Sequence, residues 1–185
     1  ASGALGRSQE FPGVGPHIVC GIEKNAYAAE LARVSVWIGE IQWVLGNGFS
    51  YLRDPVLRPL QNIENRDAVL DIDNLTESTW PACDFIVGNP PFLGGKLLRR
   101  TLGNDYVDRL FEVYRGKVSA ESDYVCYWFA KARASLEAGQ ARRVGLLATQ
   151  GIRGGKNRIV LEKIKEEGDI FLAWSDREWI VDGAE

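Results

Sequence analysis

Asn89, Pro90, Pro91 and Phe92 stand together at the end of the short apolar run Asp84-Phe85-Ile86-Val87-Gly88. These residue types set an amide side chain, a backbone carbonyl and an aromatic face side by side. Asn89 precedes a proline, so its backbone is pushed out of the α region into an extended or turn conformation. Pro90 and Pro91 have fixed φ and no N–H to donate, and a central strand cannot continue through them. The carbonyls of Asn89 and Pro90 are therefore not committed to a sheet ladder. The Asn89 side-chain oxygen and the adjacent backbone carbonyl give the site two acceptors, and a planar NH2 group has two hydrogens to meet them. Phe92 adds a face on which a base can stack, worth roughly 1–3 kcal/mol in single-strand systems. The set suits gripping a planar amide or an exocyclic amine. The competing reading is plain strand-to-loop punctuation by Pro-Pro.

The surrounding pattern must hold that tetrad in place. His17 to Glu23 reads as a buried parallel strand, and Asn25 is a good N-cap for the helix that follows. Leu31, Val34, Ile38, Ile41 and Val44 recur at helical spacing, and Gly46-Asn47-Gly48 ends the helix. A short strand is predicted within Asn62 to Val69, and another over Asp84 to Gly88. Helices are predicted at Asn104 to Tyr114, Ser122 to Glu137 and Lys156 to Glu166, and strands at Val144 to Ala148 and Asp169 to Trp174. Strands alternating with helices predict an α/β fold with a mostly parallel sheet. In such folds ligands bind at the carboxyl ends of the strands. Glu23 ends the first strand, where an acid can accept both hydroxyls of a ribose; Asp67 follows the next. The competing reading for each is a solvated or capping acid.

Composition bounds the alternatives. A chain of 185 residues can make one domain with a sizeable core. A net charge of −3 carries no global nucleic-acid signature. The basic residues are uneven, however: Gly94 to Lys117 holds six against three acids, and Ala141 to Leu161 holds five and no acid. Basic loops of this kind can track phosphates, although for any single residue solvated loop charge is the plainer reading. Cys20, Cys83 and Cys126 are widely spaced, without a Cys-x-x-Cys pair, and His17 is the sole histidine. No zinc or other metal site is expected. Cys20 and Cys83 lie in or beside apolar strands, where a buried thiol is common. Neither a signal peptide nor an 18-residue apolar run is evident, so a cytoplasmic protein without membrane partners is expected.

Gly88-Asn89-Pro90-Pro91-Phe92 resembles motif IV of the amino-methyltransferases, which transfer a methyl group from S-adenosylmethionine (SAM) to the N6 amine of adenine in DNA. The longer string through Leu93-Gly94-Gly95-Lys96 is similar to the MmeI-like and type IIG restriction–modification polypeptides. Glu23-Lys24-Asn25-Ala26-Tyr27 resembles motif II, whose acid holds the SAM ribose, and Asp67 resembles the motif III acid on the SAM adenine amine. Ser122 to Phe129 looks like motif V, although a core helix with an N-cap serine fits the same residues equally. Val144 to Lys156 resembles the motif VI strand and loop, and Trp179 to Ala184 the opening of motif VIII.

The resemblance implies a Rossmann-like class I methyltransferase fold, incomplete at both ends, with residues 1–16 irregular and 17–185 a partial catalytic domain. It implies a catalytic tetrad Asn89, Pro90, Pro91 and Phe92, and a SAM site on Glu23, Asn25, Asp67 and Asn89. It also implies DNA contacts from Phe92, Lys96, Arg153 and Lys156. The implied partners are duplex DNA with a flipped adenine and the rest of the same polypeptide, including a target-recognition region and any nuclease region. The family's glycine-rich SAM loop has no counterpart here, since Gly13-Val14-Gly15 is too weak a match. The segment is therefore expected to be a fragment, to leave strand edges unpaired, and alone to bind SAM poorly without turnover. The alternatives are a protein-glutamine methyltransferase using the tetrad on an amide, a non-catalytic nucleic-acid-binding module, and a nicotinamide oxidoreductase. The last lacks its glycine fingerprint and leaves the tetrad unexplained.

Overall fold

The computed structural model describes residues 14–49 and 59–175. The chain divides into two compact units, Ala1–Ala68 and Val69–Glu185.

In the first unit, a 3-10 turn at Pro16–Ile18 precedes β1 (Gly21–Glu23), which leads into the long helix α1 (Ala26–Gly46) and then β2 (Ile63–Asn65). Asn25 caps α1 as its side-chain oxygen accepts the Ala28 N–H at 3.0 Å. Asn47 closes the helix, and Gly48 takes φ +77°, a left-handed conformation that favours glycine. β1 and β2 run parallel with Glu23 opposite Asn65. Side chains seal the pair: Asn62 Nδ2 donates to the His17 carbonyl at 3.1 Å, and Arg33 Nε on α1 donates to the Leu60 carbonyl at 3.1 Å. Two expectations change here. Only Gly21–Glu23 of the predicted first strand pairs as a strand, and Pro16–Ile18 before it form a 3-10 turn. Of the expected apolar face of α1, Val44 is fully buried, whereas Leu31, Val34 and Ile38 are exposed.

The second unit starts with an antiparallel hairpin, β3 (Leu70–Asp71) and β4 (Thr76–Glu77). β5 (Phe85–Gly88) follows, then α2 (Leu98–Leu102), α3 (Asn104–Val113), α4 (Val125–Glu137), β6 (Arg143–Leu146) and α5 (Arg158–Glu167). β5 pairs with β6 in parallel, Gly88 opposite Leu146. Val69, Leu70, Leu98, Val107 and Leu110 form the main core with four tyrosines, Tyr106, Tyr114, Tyr124 and Tyr127. Val125, Cys126, Ala130, Ile152 and Val160 form a second cluster between α4 and α5. The tyrosines bring hydroxyls inside, and most are satisfied. Tyr106 and Tyr124 share a hydrogen bond of 2.7 Å, and Tyr114 Oη donates to the Val69 carbonyl at 2.8 Å. Tyr127 Oη finds no partner among the described residues. Its burial raises the phenol's pKa, so the group stays neutral.

The chain is thus α/β with short parallel strand pairs, in line with the expected class. The expected continuous parallel sheet is not formed among the described residues: β1–β2, β3–β4 and β5–β6 are three separate two-stranded sheets. The strand predicted at Asp169 to Trp174 is irregular, with Phe171 lying under the Arg143 guanidinium at 5.5 Å instead of in a ladder. The helix predicted from Ser122 begins at Val125, after a turn that Ser122 and Asp123 make. The expected motif VIII segment, Trp179 to Ala184, lies outside the described residues. Among those residues, no helix is long and apolar enough to cross a membrane.

The tyrosine core makes a paired test. Tyr127→Phe removes an unsatisfied buried hydroxyl and is expected to leave urea stability unchanged or raise it by up to about 1 kcal/mol. Tyr114→Phe breaks a made bond and should lower stability by about 1 kcal/mol. A larger loss at Tyr127 than at Tyr114 in urea denaturation would contradict this account of the core.

Candidate active site

β5 stops where its donors stop. The last bond of the β5–β6 ladder runs from the Leu147 N–H to the Gly88 carbonyl at 3.0 Å. Pro90 is buried and packs the turn, while Asn89, Pro91 and Phe92 are exposed. Phe92 shows 51% of its surface. Among the described residues the Asn89 carboxamide has no hydrogen-bond partner, and no N–H donates to the Asn89 or Pro90 carbonyl. An exposed amide, an exposed aromatic face and the unpartnered carbonyl of the buried Pro90 therefore sit together at the carboxyl end of a strand.

The loop past the tetrad is held by side chains and backbone from elsewhere. The Tyr124 N–H donates to the Leu93 carbonyl at 2.8 Å, and the Gly95 N–H donates to Asp123 Oδ1 at 2.8 Å. Gly95 approaches so closely that a Cβ there would lie 2.7 Å from the Glu121 carbonyl oxygen. The other Asp123 oxygen accepts from Asn157 Nδ2 at 2.7 Å, while the Asp123 N–H donates back to Asn157 Oδ1 at 2.8 Å. Asn157 Nδ2 also donates to the Gly151 carbonyl at 3.1 Å. Cys126 Sγ donates to the same Asn157 oxygen at 3.4 Å, which fixes that atom as the acceptor.

Beside this pair lies an open groove of about 960 Å³, lined by Gly95 and Lys96 on one side and Gly154, Gly155 and Lys156 on the other, with Glu121 also in its wall. Lys96 and Lys156 are exposed and have no ion-pair partner among the described residues. Many neighbouring cations are committed elsewhere. Arg99 pairs with Asp108 at 2.7 Å, Arg142 with Asp84 at 3.3 Å and Arg158 with Glu162 at 2.8 Å, while Arg109 donates to the Ile72 carbonyl. Arg153 is exposed on the 3-10 turn Gln150–Arg153 and does not line the groove.

In the first unit the strand-end acids form their own group. Glu23 Oε1 accepts the Asn25 N–H at 2.7 Å, which turns the carboxylate over the start of α1. Asn65 Nδ2 donates to the Glu23 and Lys24 carbonyls at 2.8 and 3.0 Å. Asp67 is ion-paired with Lys24 at 2.9 Å, its side chain only 12% exposed. Glu23, Asn25 and Asp67 thus cluster at the carboxyl ends of β1 and β2. Asn89 to Phe92, Lys96 and Lys156 gather in the second unit.

A protein-family profile described as MmeI, DNA-methyltransferase domain, matches residues 12–184. The chain belongs to this family. No curated protein and no solved structure matches it. It is an MmeI-type DNA-methyltransferase domain, a family tied to restriction–modification, and its exposed tetrad follows β5.

Sequence reasoning named the tetrad but missed Asp123 and Asn157 as a pair. Asp123, just before a helix, carried the ordinary signal of a cap; Asn157 carried none. The cysteines also differ from expectation. Cys20 is exposed, Cys83 half-buried and Cys126 buried. Burial first, and the Asp123 charge second, push the Cys126 thiol up from 9.0 to about 12.

Two outcomes follow from this packing. Gly95→Ala should destabilise the second unit by about 1–3 kcal/mol, since the wall it meets is backbone that cannot swing away; thermal denaturation reads this. The thiolate is the reactive form of cysteine, so alkylation of the native protein at pH 8 should modify Cys20 and spare Cys126 until urea is added. Because the folded pKa is raised, the thiol's contribution to stability is full below pH 9.0 and is lost as pH climbs toward 12.

Proposed function

We propose that the chain carries out SAM-dependent methyl transfer to the N6 amine of adenine in DNA, within a cytoplasmic restriction–modification or related defence protein. The observation that carries this reading is the unpartnered Asn89 carboxamide beside the open Pro90 carbonyl and exposed Phe92, at the end of β5 in a DNA-methyltransferase family member. A Rossmann-like methyltransferase sheet, with residues 17–185 as part of the catalytic domain, is the architecture this reading calls for. A target-recognition region and a possible nuclease region of the same polypeptide belong to it as partners.

The residues present fit the cofactor. Glu23 has one oxygen pinned by the Asn25 N–H, leaving the other to accept ribose hydroxyls. Asp67 keeps an acid near the end of β2 for the adenine amine, although its Lys24 partner must then yield or share it. Asn25 supports Glu23. When bound, SAM supplies a methyl group activated on a sulfonium.

The remaining steps belong to the protein. An adenine inside a duplex is out of reach, so the target is taken out of the stack. Phe92 stacks on the flipped base. Asn89 Oδ1 and the Pro90 carbonyl accept the two N6 hydrogens, drawing the nitrogen lone pair out of conjugation with the ring and aiming it for in-line attack. Pro91 holds the turn rigid. Positioning and fixed dipoles supply much of the acceleration. A strong base is not required: the N–C bond would form as the sulfonium C–S bond breaks, and the amine, made acidic only as the methyl arrives, loses its surplus proton to water. Lys96, Lys156 and Arg153 take phosphates of the flanking backbone.

A glutamine amide would satisfy the same acceptors. The lysine-lined groove favours nucleic acid over a protein substrate. Incubation of the polypeptide complete with its proposed target-recognition region, with methyl-labelled SAM and mixed unmethylated DNA and protein, separates the two. Label in N6-methyladenine supports the DNA reading, and label in methylglutamine overturns it. Asn89→Ala should abolish transfer while sparing SAM binding; turnover like that of the wild type would sink the role assigned to Asn89.

A further inference from the structure

Asn157 is a nearly buried amide with every polar position engaged. Its oxygen accepts from the Asp123 N–H and the Cys126 thiol, and its nitrogen donates to Asp123 Oδ2 and the Gly151 carbonyl. Asp123 is engaged on both oxygens, by Gly95 on one side and Asn157 on the other. Cβ atoms built at Gly94 and Gly151 would lie 3.6 and 3.5 Å from the two Asp123 oxygens respectively. One carboxylate therefore sits between the loop that leaves the tetrad and the loop that carries Lys156. The Ser122 hydroxyl adds a bond of 3.3 Å to the Lys156 carbonyl. An amide and a carboxylate joined this way have directional bonds that an apolar contact lacks, and removing either leaves buried polar atoms unpaired.

We propose that Asp123 and Asn157 form a positioning clasp that holds the Asn89–Lys96 loop in register with the Gly151–Lys156 loop, so that DNA phosphates seated between Lys96 and Lys156 set the flipped base against Asn89. This rests on the reading above. Asp123 acts through the loops it joins, and Asn157, although it lines the groove, has its amide atoms engaged by the protein and acts through the same loops. The Gly95 N–H fixes one wall of the groove and the Gly151 carbonyl fixes the other. Loss of the clasp lets the two lysines drift relative to the tetrad, and a displacement of about 1 Å at a reacting centre can cost on the order of 100-fold in rate.

The chemistry of the pair gives a rescue test in the polypeptide complete with the regions proposed above. Asp123→Asn sets an NH2 against the Asn157 NH2, or else gives up the Gly95 bond. Asn157→Asp sets two carboxylates against each other and leaves the Gly151 carbonyl without its donor. The combined exchange, Asp123→Asn with Asn157→Asp, restores a donor–acceptor pair between the two side chains and leaves only the Gly151 bond unmade. Amide hydrogen exchange at Gly95 and Asp123, methyl transfer to unmethylated duplex DNA and the KM for SAM are measured on all four proteins.

Each single variant is expected to speed exchange at Gly95 by about tenfold or more and to lower kcat on the order of 100-fold, with the KM for SAM within about twofold. The combined exchange is expected to recover about tenfold of the kcat. A purely structural role predicts instead that SAM binding, thermal stability and kcat fall together without recovery in the combined variant, and that result overturns the clasp. So does unchanged kcat with unchanged exchange at Gly95. If the unaltered protein transfers no methyl to adenine, the functional reading fails separately, and exchange at Gly95 alone decides the clasp: faster in Asp123→Asn supports it, unchanged overturns it.

Discussion

Two consecutive prolines impose the constraint on which the candidate site depends. A strand is held by alternating donors and acceptors, and Pro90 and Pro91 supply no donor. The ladder with β6 therefore ends at the Gly88 carbonyl. Everything that makes Asn89 chemically interesting follows from that interruption, because its amide and the adjacent carbonyls are released from pairing. A released loop also loses the support that pairing gives. The structure restores support a few residues later through Leu93, Gly95 and Asp123. Openness at the tetrad and restraint just beyond it are two parts of one arrangement.

The restraint is polar where the rest of the second unit is packed by tyrosines and aliphatics. Tyr114 and Tyr127 meet edge to face with centroids 4.9 Å apart, and Tyr124 and Trp128 do likewise at 4.7 Å. These contacts fix α4, and the start of α4 presents Asp123 to Gly95 and Asn157. Aromatic packing thus places the helix, and directional hydrogen bonds transmit its position to the loops. A buried lysine follows the same logic on the far side of the unit. Lys131 reaches the Ser78 carbonyl and Glu77, and its ammonium lies 5.0 Å from the Trp80 ring, which ties α4 to the hairpin.

What was legible in the chain was local. Asn25 before an apolar helical run and Gly48 after it bound α1 almost to the residue, because capping involves neighbours in sequence. Phe85–Gly88 was legible because the prolines mark its end. The hairpin β3–β4 was not: its turn relies on Asp71 accepting the Asn74 N–H and on Leu75 at φ 53°, without an Asn-Gly signal. Asp169 to Trp174 has the composition of a strand, but an apolar run becomes a strand only when a partner edge takes its hydrogen bonds, and composition cannot name that edge. Asn157 was invisible for the same reason, since its partner Asp123 lies 34 residues away. The separation of the parallel pairs into distinct sheets likewise depends on long-range pairing.

Charge also had to be read in three dimensions. Counting basic residues along Gly94 to Lys117 overstated the surface left for phosphates, because Arg99, Arg109 and Lys117 are engaged by Asp108, the Ile72 carbonyl and Glu77. Net charge misleads in the opposite direction. A chain at −3 is repelled weakly by DNA as a whole, yet the Debye length at 0.1 M salt is about 10 Å, so distant acids are largely screened from a bound phosphate. Lys96 and Lys156 line a groove that also carries Glu121 in its wall, with the Asp123 carboxylate held by Gly95 beside it. Two lysines make a modest electrostatic footprint, of the order of two phosphate contacts. Such a footprint is too small to select a site on DNA; in the proposed reading it holds the backbone while the tetrad engages one base.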